Sequence, residues 1–160
     1  MPSGDGDAFM TDEGSCVEFL RAWVALLLSS TENELDRTTM KRLLESCRRV
    51  CAVHYGFIKL AQFIAKSATE IDERLERANQ EIPWCGKWVR EDDSIHAVCE
   101  SCGCPPVRKG LVTLSPAFCD CSQGYVKALF EVILGGSVIV ELAQSIGQGG
   151  PVCRYVVRFQ

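Results

Sequence analysis

Cysteine is the residue type whose spacing in this sequence points most directly to chemistry. Five of the ten cysteines fall within twenty-three residues, as Cys99-x-x-Cys102-x-Cys104 and, after a gap of fourteen residues, Cys119-x-Cys121. A soft divalent ion such as zinc takes about four thiolate or imidazole ligands in a tetrahedron. Two short-spaced groups can supply them, because each group reaches the ion from a tight turn. The spacing therefore predicts a metal site, with zinc expected ahead of iron.

The spacing departs from the usual zinc motif. Both pairs that flank the gap are Cys-x-Cys, whereas two Cys-x-x-Cys units are the stronger zinc signal. On a strand, residues i and i+2 point to the same face, so the thiols of Cys119 and Cys121 could still converge on one ion. Two other interpretations stay open. The thiols could be reduced and structural, or they could serve a redox or disulfide role.

Further candidates lie outside this cluster. Cys153 begins the last strand-like segment, and Glu141 lies among apolar residues on the preceding one, facing either solvent or the same site as the cysteines. Cys47 and Cys51 have metal-ligand spacing on a predicted helix, but they fall on its apolar face, which favours core packing. His96 could be a ligand or a base, although a single histidine is more often neither.

Composition and charge exclude several classes of protein. The 160 residues are 47% hydrophobic and 24% charged, as expected for one globular domain. The net charge of −4 and the lack of a long basic stripe argue against a nucleic-acid partner. The longest apolar run, Ala22 to Leu28, is roughly a third of the ~20 residues of a membrane span, and no signal peptide is visible. We therefore expect a cytoplasmic protein.

The first half of the chain has the pattern of helices. Residues 1–13 are expected to form a flexible tail, and residues 14–160 a single domain whose helical part is 14–80. Apolar residues recur at steps of three and four, which is the helical period, and Thr31 or Asn33 is expected to cap the second helix. The predicted helices begin at about Ser15, Glu34 and Phe57 and end at about Ser29, His54 and Asn79.

Beyond Pro83 the pattern changes, and residues 84–160 form a cysteine-rich part. Alternating or β-branched segments predict strands, and one amphipathic segment predicts a helix from Ser122 to Gly135. The fold class is therefore predicted to be α+β, with N-terminal helices followed by an antiparallel sheet on which one helix packs. The predicted strands are KWVRE, SIHAVCE, LVTLS, SVIVELAQ and CRYVVRF.

The last third of the chain resembles a known family. The residues that carry the resemblance are Cys119-x-Cys121-x-x-Gly124-Tyr125, a helix ending at Gly135, Val138 to Glu141, and Gly149-x-x-x-Cys153-x-x-x-Val157. This ending is similar to the 4-vinyl reductase-type small-molecule-binding domain, which also occurs in aromatic-responsive activators and hydrocarbon-binding proteins. Vesicle-tethering subunits share the fold. The most similar branch comprises cysteine-rich uncharacterised bacterial and archaeal proteins, near the 2-amino-thiazoline-carboxylate hydrolase-like proteins.

The resemblance implies a particular ligand set. In the sensor relatives a metal is held by a cysteine ahead of the Gly-Tyr helix, a glutamate on the next strand, a cysteine three residues later and a final cysteine. At the third position this chain has Gln144, a poor zinc ligand, so Cys121, Cys102 or Cys104 replaces it or the site is absent. The predicted metal ligands are Cys102, Cys104, Cys119, Cys121, Cys153 and Glu141.

The resemblance also implies a pocket for a small apolar or aromatic molecule, and a homodimer formed through the N-terminal helices. The chain has enough aromatic residues to line such a pocket, although an ordinary core would use the same ones. The candidate pocket residues are Trp84, Trp88, Phe118, Tyr125 and Phe130.

Three functions follow from these patterns. The first is a metal-containing carrier or sensor of a small molecule, in which the metal is structural. The second is a hydrolase-like enzyme that uses a metal or a thiol on a small organic substrate, and the third is an interaction protein whose thiols matter little. Thiol catalysis would need a thiol of lowered pKa near a cation. The candidate thiols are Cys102, Cys104 and Cys121, and the candidate cations are Arg108, Lys109 and Arg154.

Overall fold

The computed structural model describes residues 13–82 and 86–160. The predicted tail falls outside these ranges except for its last residue, as do Trp84 and Cys85. None of the described helices combines the length and the apolar character that a membrane span needs. The first half of the chain is helical, with α1 at Glu13–Glu34, α2 at Arg37–His54, α3 at Phe57–Ser67 and α4 at Ile71–Glu81.

The second half contains a four-stranded antiparallel sheet with the strand order β1-β2-β4-β3. Two helices, α5 at Pro105–Arg108 and α6 at Pro116–Leu134, lie between the second and third strands in sequence. The arrangement confirms the predicted α+β class. The strands are β1 at Trp88–Glu91, β2 at Ser94–Cys99, β3 at Val138–Gln144 and β4 at Cys153–Phe159.

One face of the sheet is buried against helix α6. Along β4, Cys153, Tyr155 and Val157 are buried while Arg154 and Arg158 are exposed, which is the alternation expected of a sheet with one face covered. The indole ring of Trp88 on β1 lies 4.5 Å from the ring of Phe130 on α6, centroid to centroid. Helices α3 and α4 complete this core with buried Ile64, Leu75 and Ala78.

The end of the first helix was predicted wrongly. Helix α1 continues to Glu34, and the Thr31 hydroxyl donates to the carbonyl oxygens of Leu27 and Leu28 at 2.9 Å each, so it supports α1 instead of capping α2. The cap of α2 is Asp36, whose carboxylate accepts from the backbone N–H of Thr38 at 2.9 Å and of Thr39 at 3.0 Å. A carboxylate is favoured at this position because it accepts hydrogen bonds from N–H groups that have no partner within the helix, at the positive end of the helix dipole.

The predicted third helix is two helices. Ala68 is fully extended, with φ −151° and ψ 153°, and separates α3 from α4. The break leaves the Ala68 carbonyl oxygen without a partner within the helix. This oxygen accepts a hydrogen bond from Arg74 Nε at 2.9 Å. The same guanidinium donates to the Ile133 oxygen on α6 at 2.8 Å. The turn therefore depends on a contact with a distant part of the chain.

The segment LVTLS is not a strand, and helix α6 begins six residues earlier than predicted. Residues 111–115 have no regular structure, and Ser115 caps α6, its hydroxyl accepting from the Phe118 N–H at 3.5 Å. Pro116 occupies the first turn, where its missing N–H costs nothing. Cys119 and Cys121 consequently lie on a helix, where residues two apart point about 200° apart.

Substituting Ile133 by Ala is expected to lower the free energy of unfolding by about 3 kcal/mol, because the side chain is fully buried between α6 and the sheet. The matched control is Ile139→Ala on the outer face of β3, where half of the side chain is exposed. The control should cost less than about 1 kcal/mol. Urea unfolding under reducing conditions measures both values, and equal losses would contradict the assigned core.

Candidate functional site

A cavity opens between helix α6, the buried face of the sheet and the loop that precedes α5. The cavity is open to solvent at its mouth. None of the described residues that line it is charged, and those with polar groups are cysteines, Ser122, a tryptophan and two tyrosines. Apolar walls with few polar groups are the usual composition of a small-molecule site. The aromatic side chains of the wall are Trp88, Phe118, Tyr125 and Tyr155.

Free thiols from four regions of the chain converge on this cavity. Cys51 comes from α2, two cysteines come from the loop before α5, two from α6 and one from β4. Cys99 also lines the cavity and is disulfide-bonded, so the disulfide interpretation that the sequence left open applies to this cysteine. The free thiols of the wall are Cys51, Cys102, Cys104, Cys119, Cys121 and Cys153.

Cys119 and Cys121 contact different elements, because both lie on α6. The Cys121 thiol donates to the Leu44 carbonyl oxygen of α2 at 3.6 Å. The Cys119 sulfur packs against Gly147, in the short helical turn between β3 and β4, so closely that a Cβ atom at Gly147 would overlap it. The expectation that a strand would turn both thiols to one face was therefore wrong.

Glu141 does not join the cysteines. It lies on the outer face of β3, and its Oε2 accepts from Arg158 Nη1 at 2.8 Å. Gln144, the other position implied by the family pattern, accepts from Arg154 Nε at 3.3 Å on the same strand pair. The residues at these two positions do not fit the metal arrangement of the sensor relatives.

No three His, Cys, Asp or Glu side chains within residues 13–82 and 86–160 are grouped so as to hold a metal ion. Zinc therefore stays a prediction from the cysteine spacing. His96, the other candidate ligand, is hydrogen-bonded at Nε2 to the Ser94 hydroxyl at 2.7 Å. It is half-buried on β2 and does not line the cavity.

Burial raises the pKa of four of the cavity thiols. It raises the pKa of Cys104 to about 11 and that of Cys121 to about 12, and neighbouring thiols add to both shifts. The pKa values of Cys51 and Cys153 are also raised, again chiefly by burial. Nucleophilic catalysis needs a thiolate, so Cys104 and Cys121 do not fit the predicted thiol enzyme.

The predicted cationic neighbours are engaged elsewhere or exposed. Lys109 Nζ lies over the Tyr55 ring, 4.9 Å from its centroid, and Arg154 pairs with Gln144 on the strand pair β3–β4. Arg108 is exposed at the end of α5. None of the three lines the cavity, so they give no support to a thiolate there.

Among the residues that the structure describes, two buried hydrogen-bond donors in the cavity wall have no partner. They are the indole N–H of Trp88, which is 2% exposed, and the hydroxyl of Tyr125. The hydroxyl of Tyr155 differs, because it donates to Ser122 Oγ at 2.8 Å, and Ser122 in turn donates to the Cys119 carbonyl at 2.6 Å. A buried donor without a partner costs about 1–3 kcal/mol. These two groups therefore mark the place where a bound molecule would be stabilised.

Three of the candidate pocket residues line the cavity together. They are Trp88, Phe118 and Tyr125, whereas Phe130 lies beneath Trp88 in the core and Trp84 falls outside the described residues. Sequence reasoning missed other members of the wall, Cys51 and Tyr155 among them. Cys51 was assigned to the core because it falls on the apolar face of α2. Tyr155 was not singled out because it is one of several apolar residues in an alternating strand.

Two solved structures share the fold. The phenol-responsive sensory domain of the transcription activator PoxR, solved with phenol, has 15% identity and a TM-score of 0.52, over 88% of this chain and 74% of that chain. The trafficking protein particle complex subunit 3 from Naegleria fowleri, solved covalently bound to palmitic acid, has 14% identity and a TM-score of 0.50, over 92% and 97%. At these identities the likeness shows the fold alone.

Sequence comparison identifies the family. No curated protein matches the chain. The relation to 4-vinyl reductase-type domains stays a prediction from the sequence motifs. A family model matches residues 8–159, nearly the whole sequence, and the chain therefore belongs to the family described as "Family of unknown function (DUF6144)".

Proposed function

We propose that this domain binds a neutral small organic molecule in the thiol-lined cavity and acts as its carrier or sensor. The observation that carries the proposal is the pair of unpartnered donors, Trp88 Nε1 and the Tyr125 hydroxyl, in a cavity wall that is otherwise apolar. Each donor is stabilised only when an acceptor atom enters the cavity. A ligand with an oxygen on an apolar frame supplies that atom.

The described residues of the wall include no charged side chain, and this restricts the ligand further. A carboxylate or an ammonium group that moved from water into this cavity would find no opposite charge. The free energy lost in this way is far larger than the free energy that one hydrogen bond supplies. Burial also raises the pKa of Tyr125, so its hydroxyl stays a neutral donor at physiological pH. Phenols, ketones, aldehydes and alcohols satisfy these conditions.

The molecules bound in the two solved structures support the proposal. The PoxR sensory domain holds phenol, which has one hydroxyl on an apolar ring. The trafficking subunit from Naegleria fowleri holds a palmitoyl chain. A cavity that accepts an apolar molecule is thus compatible with this fold. The catalytic alternative is less well supported here, since burial raises the pKa of Cys104 and Cys121, although the guanidinium of Arg48 lowers that of Cys121 in part.

Replacing Tyr125 by Phe is expected to weaken phenol binding about tenfold, because one hydrogen bond is lost from a buried site. Binding of toluene, which has the same ring without an acceptor, should be unchanged or slightly stronger. Isothermal titration calorimetry measures both ligands on both proteins. Glu141→Gln is the control, since Glu141 lies on the outer face of the sheet. Equal weakening of phenol and toluene would contradict a hydrogen-bonding role of Tyr125.

Benzaldehyde and benzoate provide a second test, of charge. They share a ring and a carbonyl group, but only benzoate is ionised at neutral pH. We expect benzaldehyde to bind at least a hundredfold more tightly than benzoate, because no cation lines the cavity to pair the carboxylate. Competition against phenol at pH 7 measures the ratio. Comparable affinities would show that a charged group reaches the ligand.

We also propose that the domain is a homodimer formed through α1. Most apolar residues of this helix are exposed, including Phe19 at 64%, Trp23 at 52% and Leu26 at 68%. Together they leave on the order of 600 Å² of apolar surface, close to the ~800 Å² that each partner gives to a standard interface. A second copy of the same helix offers a matching apolar face.

Light scattering on the intact chain tests this proposal. The wild type should have twice the mass of one chain, and Leu26→Glu should halve it while circular dichroism stays unchanged. Ile139→Glu, on the exposed outer face of β3, is the matched control and should remain dimeric. A monomeric wild type, or a dimer that Leu26→Glu leaves intact, contradicts the assignment.

A further inference from the structure

Tyr155, Ser122 and the Cys119 carbonyl form a chain of hydrogen bonds in the cavity wall. Tyr155 on β4 is 7% exposed, and both Tyr155 and Ser122 line the cavity. The Tyr155 hydroxyl lies 2.8 Å from Ser122 Oγ, which lies 2.6 Å from the Cys119 carbonyl oxygen. The chain therefore joins a phenol of the wall to a backbone acceptor of α6.

The backbone carbonyl determines the direction of this chain. A carbonyl oxygen can only accept a hydrogen bond, and two oxygens 2.6 Å apart repel each other unless a proton lies between them. The single proton of the Ser122 hydroxyl is therefore donated to Cys119. Ser122 Oγ can then only accept from Tyr155, so the Tyr155 proton is committed to Ser122 and is not available to a ligand.

The Tyr155 oxygen keeps a lone pair with which it can accept a further hydrogen bond. Its one hydrogen-bond partner among the described residues is Ser122. The Tyr155 ring lies 6.0 Å from the indole ring of Trp88, centroid to centroid, and Trp88 Nε1 is one of the two unpartnered donors. The wall thus carries an acceptor and a donor on neighbouring rings.

We propose that this chain of hydrogen bonds makes the cavity selective for ligands with a hydroxyl group. Tyr155 is the acceptor, and Ser122 is the positioning residue that holds the Tyr155 proton away from the ligand. A hydroxyl group can donate to the Tyr155 oxygen and also accept from the Trp88 N–H. A ketone, an aldehyde or an ether can only accept. Alcohols and phenols are therefore the ligand class, which narrows the proposed function and rests on it.

Cyclohexanol and cyclohexanone test this selectivity, because they have the same heavy atoms and only the alcohol can donate. Calorimetry gives both affinities, and the wild type is expected to favour the alcohol. Tyr155→Phe should lower the alcohol-to-ketone ratio of affinities about tenfold, by weakening the alcohol alone. Tyr55→Phe makes the same change outside the cavity and should keep the wild-type ratio. A wild type that favours the ketone, or an unchanged ratio in Tyr155→Phe, overturns the proposal.

Ser122→Ala separates the positioning role from packing. Without Ser122 Oγ the Tyr155 proton can be donated to a ligand, so the ketone is expected to bind about fivefold more tightly than it binds to wild type. A loss of packing would instead weaken both ligands. Ser122→Thr retains the hydroxyl and should keep the wild-type ratio. A ketone affinity that is unchanged or weaker in Ser122→Ala overturns the positioning role.

Proton NMR of the ligand-free full chain tests the direction of the chain separately. A Tyr155 hydroxyl proton held by Ser122 should exchange slowly with water and show a cross-peak to the Ser122 methylene protons. This signal should be lost in Ser122→Ala, and a signal that persists there contradicts the direction. If wild type binds neither cyclohexanol nor phenol, the proposed function fails, and the ligand class fails with it, while the NMR signal still decides the direction. If phenol binds but the ketone is favoured over the alcohol, only the ligand class fails.

Discussion

Packing of helix α6 against the sheet is the contact on which both the core and the cavity depend. The C-terminal half of this helix buries Val126, Leu129, Phe130 and Ile133 against the sheet and α3. Its N-terminal half turns Phe118, Cys119, Ser122 and Tyr125 towards the cavity instead. Because one rigid helix carries both sets of side chains, the position of the Tyr125 hydroxyl is determined by the packing of the core. Substitutions in the core that shift this helix would therefore also shift the side chains of the site.

The sequence predicted elements best where a local pattern was sufficient. Alternation identified β3 and β4, and the glycine after α6 ended that helix, with Gly135 at φ +73°. The break at Ala68 was missed because it is satisfied by Arg74, whose other partner, the Ile133 carbonyl, lies 59 residues away. The start of α6 was missed for a different reason. Ser115 and Pro116 form a helix-start signal, but the apolar LVTLS segment before them resembles a strand.

For the candidate site, the residues were easier to predict from the sequence than the roles of those residues. Cysteine clustering correctly singled out one region, since Cys102, Cys104, Cys119, Cys121 and Cys153 all line the cavity. Spacing could not show that burial raises the pKa of Cys104 and Cys121, because burial depends on the three-dimensional surroundings. A protonated thiol behaves as a small apolar side chain, so a wall rich in cysteine is compatible with an apolar ligand. Glu141 was separated from the thiols because one residue along a strand reverses the face.

Specificity in such a cavity depends on its few polar groups more than on its size. An apolar wall distinguishes only weakly between ligands that differ by one methylene. A ligand that leaves a buried donor unpaired is bound far more weakly than one that supplies the acceptor. Trp88 and Tyr125 are the two donors of this kind. They come from β1 and from α6, which the Trp88–Phe130 contact holds together. Under the proposed function, the geometry that selects the ligand would be built from the same ring contact that stabilises the core. A ligand that bridges both donors would stabilise the folded domain by binding the native state alone.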